Sequence, residues 1–212
     1  MQARGPFITF EGIDGSGKTT QMRLLGGRLR AAGRIVFETV EPGGTPIGQQ
    51  IRRILLDSAN QDLRPNAELL LYFASRAQNV EQCILPALQA GKIVLCDRFT
   101  DSTLAYQGYA RGLGAEIVLA LDRIACQGLT PDLTLLIDVE VETGLGRLRA
   151  RNVKGAASET RLDDESHDFH RNVRDAYLTI ARQYADRFRV IDGRGAPEEV
   201  ALRVWENVAP HV

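Results

Sequence analysis

Two kinds of apolar pattern alternate along this chain. Phe7–Glu11 (FITFE) alternates apolar and β-branched residues up to a glycine, which predicts a strand. From Lys18 to Ala32, Met22, Leu24, Leu25 and Leu29 recur at helical spacing, and Gly33 supplies a stop. Ile35–Val40 predicts a second strand. After the turn-rich EPGGTP, Ile47, Ile51, Ile54 and Leu55 predict a short helix. A long helical pattern covers Asn66 to Ala90, with Pro86 interrupting it near the end. Ile93–Asp97 (IVLCD) and Leu133–Asp138 (LTLLID) are continuous apolar runs, as expected of strands covered on both faces. Ile117–Cys126 between them reads as helical. Beyond them come a helix over Val141–Arg151, a mobile loop over Asn152–Ser158 and a helix over Ser166–Phe188. A short last strand at Val190–Asp192 and a final helix at Pro197–Val208 complete the pattern.

Strands alternating with helices predict an α/β fold of three αβα layers, with a central parallel sheet of five strands. No repeat, low-complexity tail or interdomain linker divides residues 1–212, so a single domain is expected. Ligands of such sheets bind beyond the carboxyl ends of the strands. Three predicted strands end there in acids: Glu11, Asp97 and Asp138.

The segment after the first strand carries the clearest chemistry. GIDGSGKT, residues 12–19, matches G-x-x-x-x-G-K-[ST] in full, between a predicted strand and a predicted helix. Glycines let successive backbone N–H groups turn inward around an anion, and the helix adds the positive end of its dipole. The expected nucleotide-phosphate cradle is Gly12, Ile13, Asp14, Gly15, Ser16, Gly17, Lys18, Thr19 and Thr20. Lys18 can reach the β- and γ-phosphates of ATP, and the Thr19 hydroxyl can join a Mg2+ shell. Asp97, an acid ending an apolar run, is a second candidate on the metal side. A P-loop NTPase fold follows. The bland alternative is a glycine-rich turn with an incidental Lys-Thr.

Composition narrows the class without choosing the reaction. Apolar residues make up 44% and charged residues 25%, ordinary for a globular domain. A net charge of −1 gives no global field for nucleic acid or an anionic membrane. No apolar stretch approaches the length of a transmembrane helix, and the first residues predict no signal peptide. Cys83, Cys96 and Cys126 are scattered and odd in number, which predicts neither a metal site nor a disulfide framework and fits a reduced, cytoplasmic setting. Lysine occurs only at 18, 92 and 154, so arginine supplies the other basic residues. No guanine-reading N-K-x-D is present, and Arg98 directly after IVLCD suits a second phosphorylated substrate better than a water nucleophile.

EPGGT at 41–45, LLLYFASRAQ at 69–78 and DRFTDSTLAYQG at 97–108 closely resemble thymidylate kinases. With the P-loop, PDLTLLID and an arginine-rich segment, the resemblance spans nearly the whole chain. It implies transfer of the γ-phosphate of ATP to dTMP with Mg2+, giving dTDP on the route to dTTP, and a homodimer. It places Arg98 and Arg52 on the dTMP phosphate, Tyr72 against the thymine ring and Arg76 on the O4 edge. Tyr106 crowds the sugar 2′ position, while Thr103 and Gln107 approach the base. Glu41 and Pro42 of EPGGT, and Ser102, belong to the same substrate set. Asp14 meets the sugar or phosphate region and helps order Mg2+. Tyr72 and Arg76 lie one helical turn apart, so both can face one ligand. Without the family, Tyr72 reads as core, Arg76 as a solvated charge and Arg52 as an exposed helix residue.

Two departures stand out. Gly15 occupies the position where some thymidylate kinases carry an arginine, which by resemblance shifts catalytic arginines to a lid at about 147–163. RLRARNVKGAASETRLDDES offers Arg147, Arg149, Arg151 and Arg161 there, with Arg149, Arg151 and Arg161 the expected catalytic set beside Lys18 and Arg98. Val40 stands where many relatives have arginine, which shifts phosphate contacts onto Arg52. Another nucleoside or nucleoside monophosphate kinase, or a noncatalytic ATP-binding switch module, remains the alternative.

Overall fold

The computed structural model describes residues 4–152, 161–163 and 165–212, residues 151 and 152 in backbone only. Five described strands, β1 (Phe7–Glu11), β2 (Val36–Val40), β3 (Ile93–Asp97), β4 (Leu133–Asp138) and β5 (Phe188–Asp192), form one parallel sheet in the order β2-β3-β1-β4-β5. The chain runs to one side of β1 and then to the other, so the strand order reverses around the strand that leads into the P-loop. That is where open α/β sheets bind ligands.

Helices α1 (Lys18–Ala31), α2 (Pro46–Leu56), α3 (Pro65–Asn79), α4 (Leu85–Gln89), α5 (Thr100–Thr103), α6 (Ala115–Ala125), α7 (Val141–Asn152), α8 (His167–Gln183) and α9 (Pro197–Val208) cover the sheet. Thr45 caps α2 by accepting the Gly48 N–H at 2.9 Å, with Pro46 at the first turn where its missing N–H costs nothing. Ser166 caps α8 in the same way through the Phe169 N–H. The pleat of β1 divides the core in two. Ile8 and Phe10 join Met22, Leu25, Leu29, Val200 and Val204 on one face, whereas Phe7 joins Tyr72, Phe73, Leu104 and Tyr177 on the other. Glu11 shares the face of Phe7 by that same period of two. A carboxylate is thereby buried under the α3, α5 and α8 layer.

The long helix expected over Asn66–Ala90 is not one regular helix. A π-helical turn, Val80–Ile84, separates α3 from α4, and Pro86 lies in the first turn of α4. The wider turn removes the demand for the N–H that proline lacks, so the chain continues in the same direction. The helix expected to run to Phe188 ends at Gln183. Phe188 pairs instead with Thr134 in β5, and Arg187 just before it bonds Asp101, so sheet register overrides helical spacing there. Positions 153–158 of the expected loop lie outside the described residues, and Asn152 ends α7. Among the described residues no helix is long and apolar enough to cross a membrane.

Candidate active site

The P-loop adopts the backbone that its sequence demands. Gly12, Gly15 and Gly17 have φ of 137°, 74° and 101°, values that L side chains rarely reach. A Cβ on Gly12 would meet the Ile137 carbonyl oxygen at 2.5 Å. Lys18 folds back to donate to the Ile13 carbonyl at 2.9 Å, and the Ser16 hydroxyl is buried with no partner among the described residues. A loop of inward N–H groups with an orphaned hydroxyl and a lysine across its mouth fits a polyphosphate. Burial, reinforced by the nearby positive Arg98, pushes the Lys18 ammonium down to about 8, while Asp14, Asp97 and Glu11 act against that shift. An incoming anion would reverse it.

Gly15 matters for a second reason. A Cβ there would stand 2.1 Å from the Gly144 carbonyl oxygen in α7, and one on Gly144 would meet the Asp14 carbonyl at 2.7 Å. Two glycines thus bring the P-loop and α7 into backbone contact. Gly15→Ala is expected to displace the loop and lower ATP-dependent turnover about 10²-fold or more, the scale of an ångström misplacement at a reacting centre. Steady-state kinetics with a circular-dichroism check of folding would test it.

Arg98 joins the P-loop to the opposite wall. It sits just past β3 with φ 70°, a strained left-handed position for a non-glycine residue. One guanidinium nitrogen, Nη1, donates to the Gly12 carbonyl (3.2 Å), Ser102 Oγ (3.1 Å) and the Tyr177 hydroxyl (3.2 Å). The other, Nη2, donates to Asp14 Oδ1 (2.6 Å) and the Tyr106 hydroxyl (3.2 Å). Tyr106 in turn donates to Asp14 Oδ2 at 2.7 Å. Burial alone would raise the Asp14 carboxyl, but Arg98, Lys18 and the Tyr106 hydrogen bond outweigh it and hold the group well below its ordinary range.

Below this cluster, Glu11 accepts the Phe99 N–H (2.7 Å), the Ser102 hydroxyl (2.5 Å) and the Tyr177 hydroxyl (2.9 Å). Burial and the nearby Asp101 push its carboxyl up to about 7, against the pull of the Ser102 hydrogen bond and Arg98. Tyr177, from α8, went unnoticed in the sequence because an aromatic at helical spacing reads as core. Its ring is core, and its hydroxyl holds Arg98.

The expected metal-side residues separate into two groups. The Thr19 hydroxyl donates directly to Asp97 Oδ2, which gives a hard oxygen pair of the kind Mg2+ takes through its waters. Asp14 lines the cavity with one oxygen accepting from Arg98 and the other from Tyr106. Proximity to an arginine decides its partner.

A second group lies at the far end of the same cavity. Arg76 is fully buried on α3; its Nε donates to Glu41 Oε2 and its Nη1 to Thr103 Oγ1 at 3.0 Å. Glu41 also accepts from Asn79 Nδ2, so its carboxylate supports Arg76, and both Glu41 and Pro42 line the cavity. Pro42 supplies its carbonyl to Arg52 Nη1 at 3.1 Å. One cavity of about 850 Å³ is lined by P-loop residues, Thr19, Asp97, Arg98, Ser102, Arg52, Tyr72, Arg76, Thr103, Tyr106 and Gln107.

The lid arginines divide. Arg147 lines the cavity and donates to the Ser16 and Gly193 carbonyls at 3.4 Å each. Arg149 is exposed on α7 and does not line it, and the Arg151 side chain lies outside the described residues. Arg161, expected in the catalytic set, does not line the cavity: it is buried, donating to the Leu55 carbonyl and, at 2.6 Å, to Glu68. The buried carboxylate of Glu68 draws it away from the cavity.

Comparison with known proteins agrees with this architecture. A family model described as thymidylate kinase matches residues 10–204. A thymidylate kinase of Pelobacter propionicus is 53% identical over 205 residues, covering 96% of this chain and 94% of that protein. One of Syntrophotalea carbinolica is 53% identical over 200 residues, covering 94% and 93%. The crystal structure of thymidylate kinase from Ehrlichia chaffeensis superposes with a TM-score of 0.78 at 34% identity, covering 97% of this chain and 99% of that one. A P-loop on the central strand, a partly buried arginine beside it and similarity over nearly the whole chain lead to one conclusion: the chain belongs to the thymidylate kinase family.

Proposed function

We propose that this chain transfers the γ-phosphoryl group of ATP to dTMP, yielding ADP and dTDP on the route to dTTP. The observation that carries the reading is the single cavity that joins a P-loop to Arg98 and onward to Tyr72, Arg76 and Gln107. ATP phosphates would lie in the P-loop under Lys18. The dTMP phosphate would take Arg98 and Arg52, the sugar would pass Tyr106 and Asp14, and the base would rest on Tyr72 with its O4 edge toward Arg76. Thr19 and Asp97 would hold Mg2+, which when bound neutralises charge between the β- and γ-phosphates.

The barrier to such a transfer is dominated by bringing two polyanions into line. The Arg98 fork suits a phosphate that must be both neutralised and oriented. A phosphate monoester, whose second pKa is about 6, is already ionised near neutrality and needs no general base. Arg147, with Arg149 and Arg151 further along the lid, would bridge the transferring group as charge spreads. Closure of residues 147–163 over the one domain would exclude water and suppress hydrolysis of ATP.

Exposed Ile47 and Ile54 on α2, Leu70 on α3 and Ile117 and Ile124 on α6 give three adjoining helices an apolar outer face. That face supports a homodimer, and light scattering behind size exclusion would test it. Three free cysteines fit a reduced, cytoplasmic compartment.

An ADP-release assay across nucleoside monophosphates tests the activity. dTMP is expected to be the best acceptor and dUMP poor but detectable, since a missing methyl is worth about 1–3 kcal/mol. Preference for a ribonucleotide, or ATP turnover independent of any acceptor, would overturn the reading in favour of another kinase or a switch module.

A further inference from the structure

We infer that Glu68, a buried residue that does not itself line the cavity, fixes the direction of the Gln107 side-chain amide and so selects a pyrimidine bearing N–H at ring position 3, as in thymine or uracil, over cytosine. This rests on the base lying at the Tyr72 and Arg76 end of the cavity, as proposed above.

Glu68, on α3, is 1% exposed. Its Oε1 accepts Gln107 Nε2 at 2.8 Å and Arg111 Nε at 3.1 Å; its Oε2 accepts Arg161 Nη2 at 2.6 Å and Arg111 Nη2 at 3.3 Å. Burial would raise this carboxyl, but the Gln107 hydrogen bond and the two arginines hold it below its ordinary value. It is therefore an anion, and a carboxylate anion can only accept hydrogen bonds.

An amide can turn over when its partner both gives and takes. Opposite a carboxylate it cannot, because the reversed amide would place two acceptors face to face and strand a buried anion. The NH2 of Gln107 must point to Glu68. Its carbonyl is then left as the group for a ligand, in a residue that lines the cavity beside Thr103 and Tyr72. A carbonyl acceptor complements the N3–H of thymine or uracil. Cytosine offers a bare nitrogen there, so lone pair would meet lone pair. Arg76, a donor with no acceptor capacity, cannot compensate by reversing its own polarity.

The tie is well anchored. Arg111 is held independently by Glu165 at 2.7 Å, and Arg161 by the Leu55 carbonyl, so both keep a partner when Glu68 loses its charge. Glu68 is thus a positioning residue acting through Gln107.

The test is kcat/KM for dTMP and dCMP in the wild type, Glu68→Gln and Gln107→Met. Wild type is expected to favour dTMP by at least about 10³-fold, as in sites that hydrogen-bond a substrate N–H. A glutamine at 68 both gives and accepts, which frees the amide to turn. The dTMP-to-dCMP ratio of Glu68→Gln should then fall at least tenfold or so, with the KM for ATP unchanged. Gln107→Met, which has no acceptor, should lower the ratio at least as far. Simple loss of stability would depress both acceptors alike and leave the ratio intact. An unchanged ratio in an active Glu68→Gln enzyme, or in Gln107→Met, overturns the inference. A wild type that does not prefer dTMP would instead overturn the proposed function. If Glu68→Gln does not fold, NMR of the labelled wild type decides. A scalar coupling across the hydrogen bond from Gln107 Nε2 to the Glu68 carboxylate carbon, persisting with dTMP bound, supports the assignment, and its absence contradicts it.

Discussion

Arg98→Ala is expected to lower kcat/KM for dTMP by about 10³-fold or more, the lower end of what arginines contribute at P-loop phosphoryl-transfer sites. ATP affinity should change far less. The loss has two parts. The fork that would neutralise and orient the acceptor phosphate disappears. Asp14, now held as an anion by Arg98 at 2.6 Å, is left beside the incoming phosphate without its strongest counter-charge. Repulsion is thus added where attraction is removed. Arg98→Lys should restore only a fraction, since an ammonium cannot satisfy Gly12, Ser102, Tyr177, Asp14 and Tyr106 together. Steady-state kinetics with titration calorimetry of ATP would separate the two substrates. Near-normal dTMP turnover in Arg98→Ala would remove this residue from the clamp.

Arg76→Ala is expected to cost stability as well as activity. Its partner Glu41 would remain buried without a counter-charge, and breaking such a pair from one side costs about 3–5 kcal/mol. Glu41 is also among the residues whose carboxyl burial already pushes up, against Arg76 and Asn79. A loss of that size should lower the melting temperature by roughly 10 °C for a chain of this length. Removing both charges together, as Glu41→Leu with Arg76→Met, should recover much of the stability, because no buried ion is stranded. It should not recover dTMP turnover, since the donor proposed to face the base would be gone. Melting curves and kinetics on the single and double variants would show whether the two losses separate in this way.

What the sequence made legible follows its length scales. The P-loop is local: strand, glycines, lysine and helix occupy consecutive positions, and the backbone angles at Gly12, Gly15 and Gly17 answer directly to residue type. β3 and β4 were legible because runs such as IVLCD and LTLLID can be satisfied only by cover on both faces. Pro86 marks where the regular helix is interrupted, but a single residue does not announce the π turn before it. Helical spacing alone extends the helix to Phe188, because the fate of that residue depends on Thr134, more than fifty positions away.

Site residues divide along the same line. Arg98 and Tyr106, eight positions apart, belong to one motif and meet in space. Glu11, Ser102 and Tyr177 meet only because β1, α5 and α8 converge, and neither composition nor spacing encodes that meeting. Glu68 carried no signal in an ordinary helical pattern, and Arg161 carried a misleading one. The charge that holds Arg161 lies on a different element.

The most direct test is a crystal structure with dTMP and a non-hydrolysable ATP analogue bound together. The triphosphate is expected in the loop of residues 12–19, the dTMP phosphate on Arg98 facing the γ-phosphate, and the thymine between Tyr72 and Arg76. A pyrimidine nucleotide bound away from those three residues, or two phosphates that do not face one another, would contradict the proposed transfer.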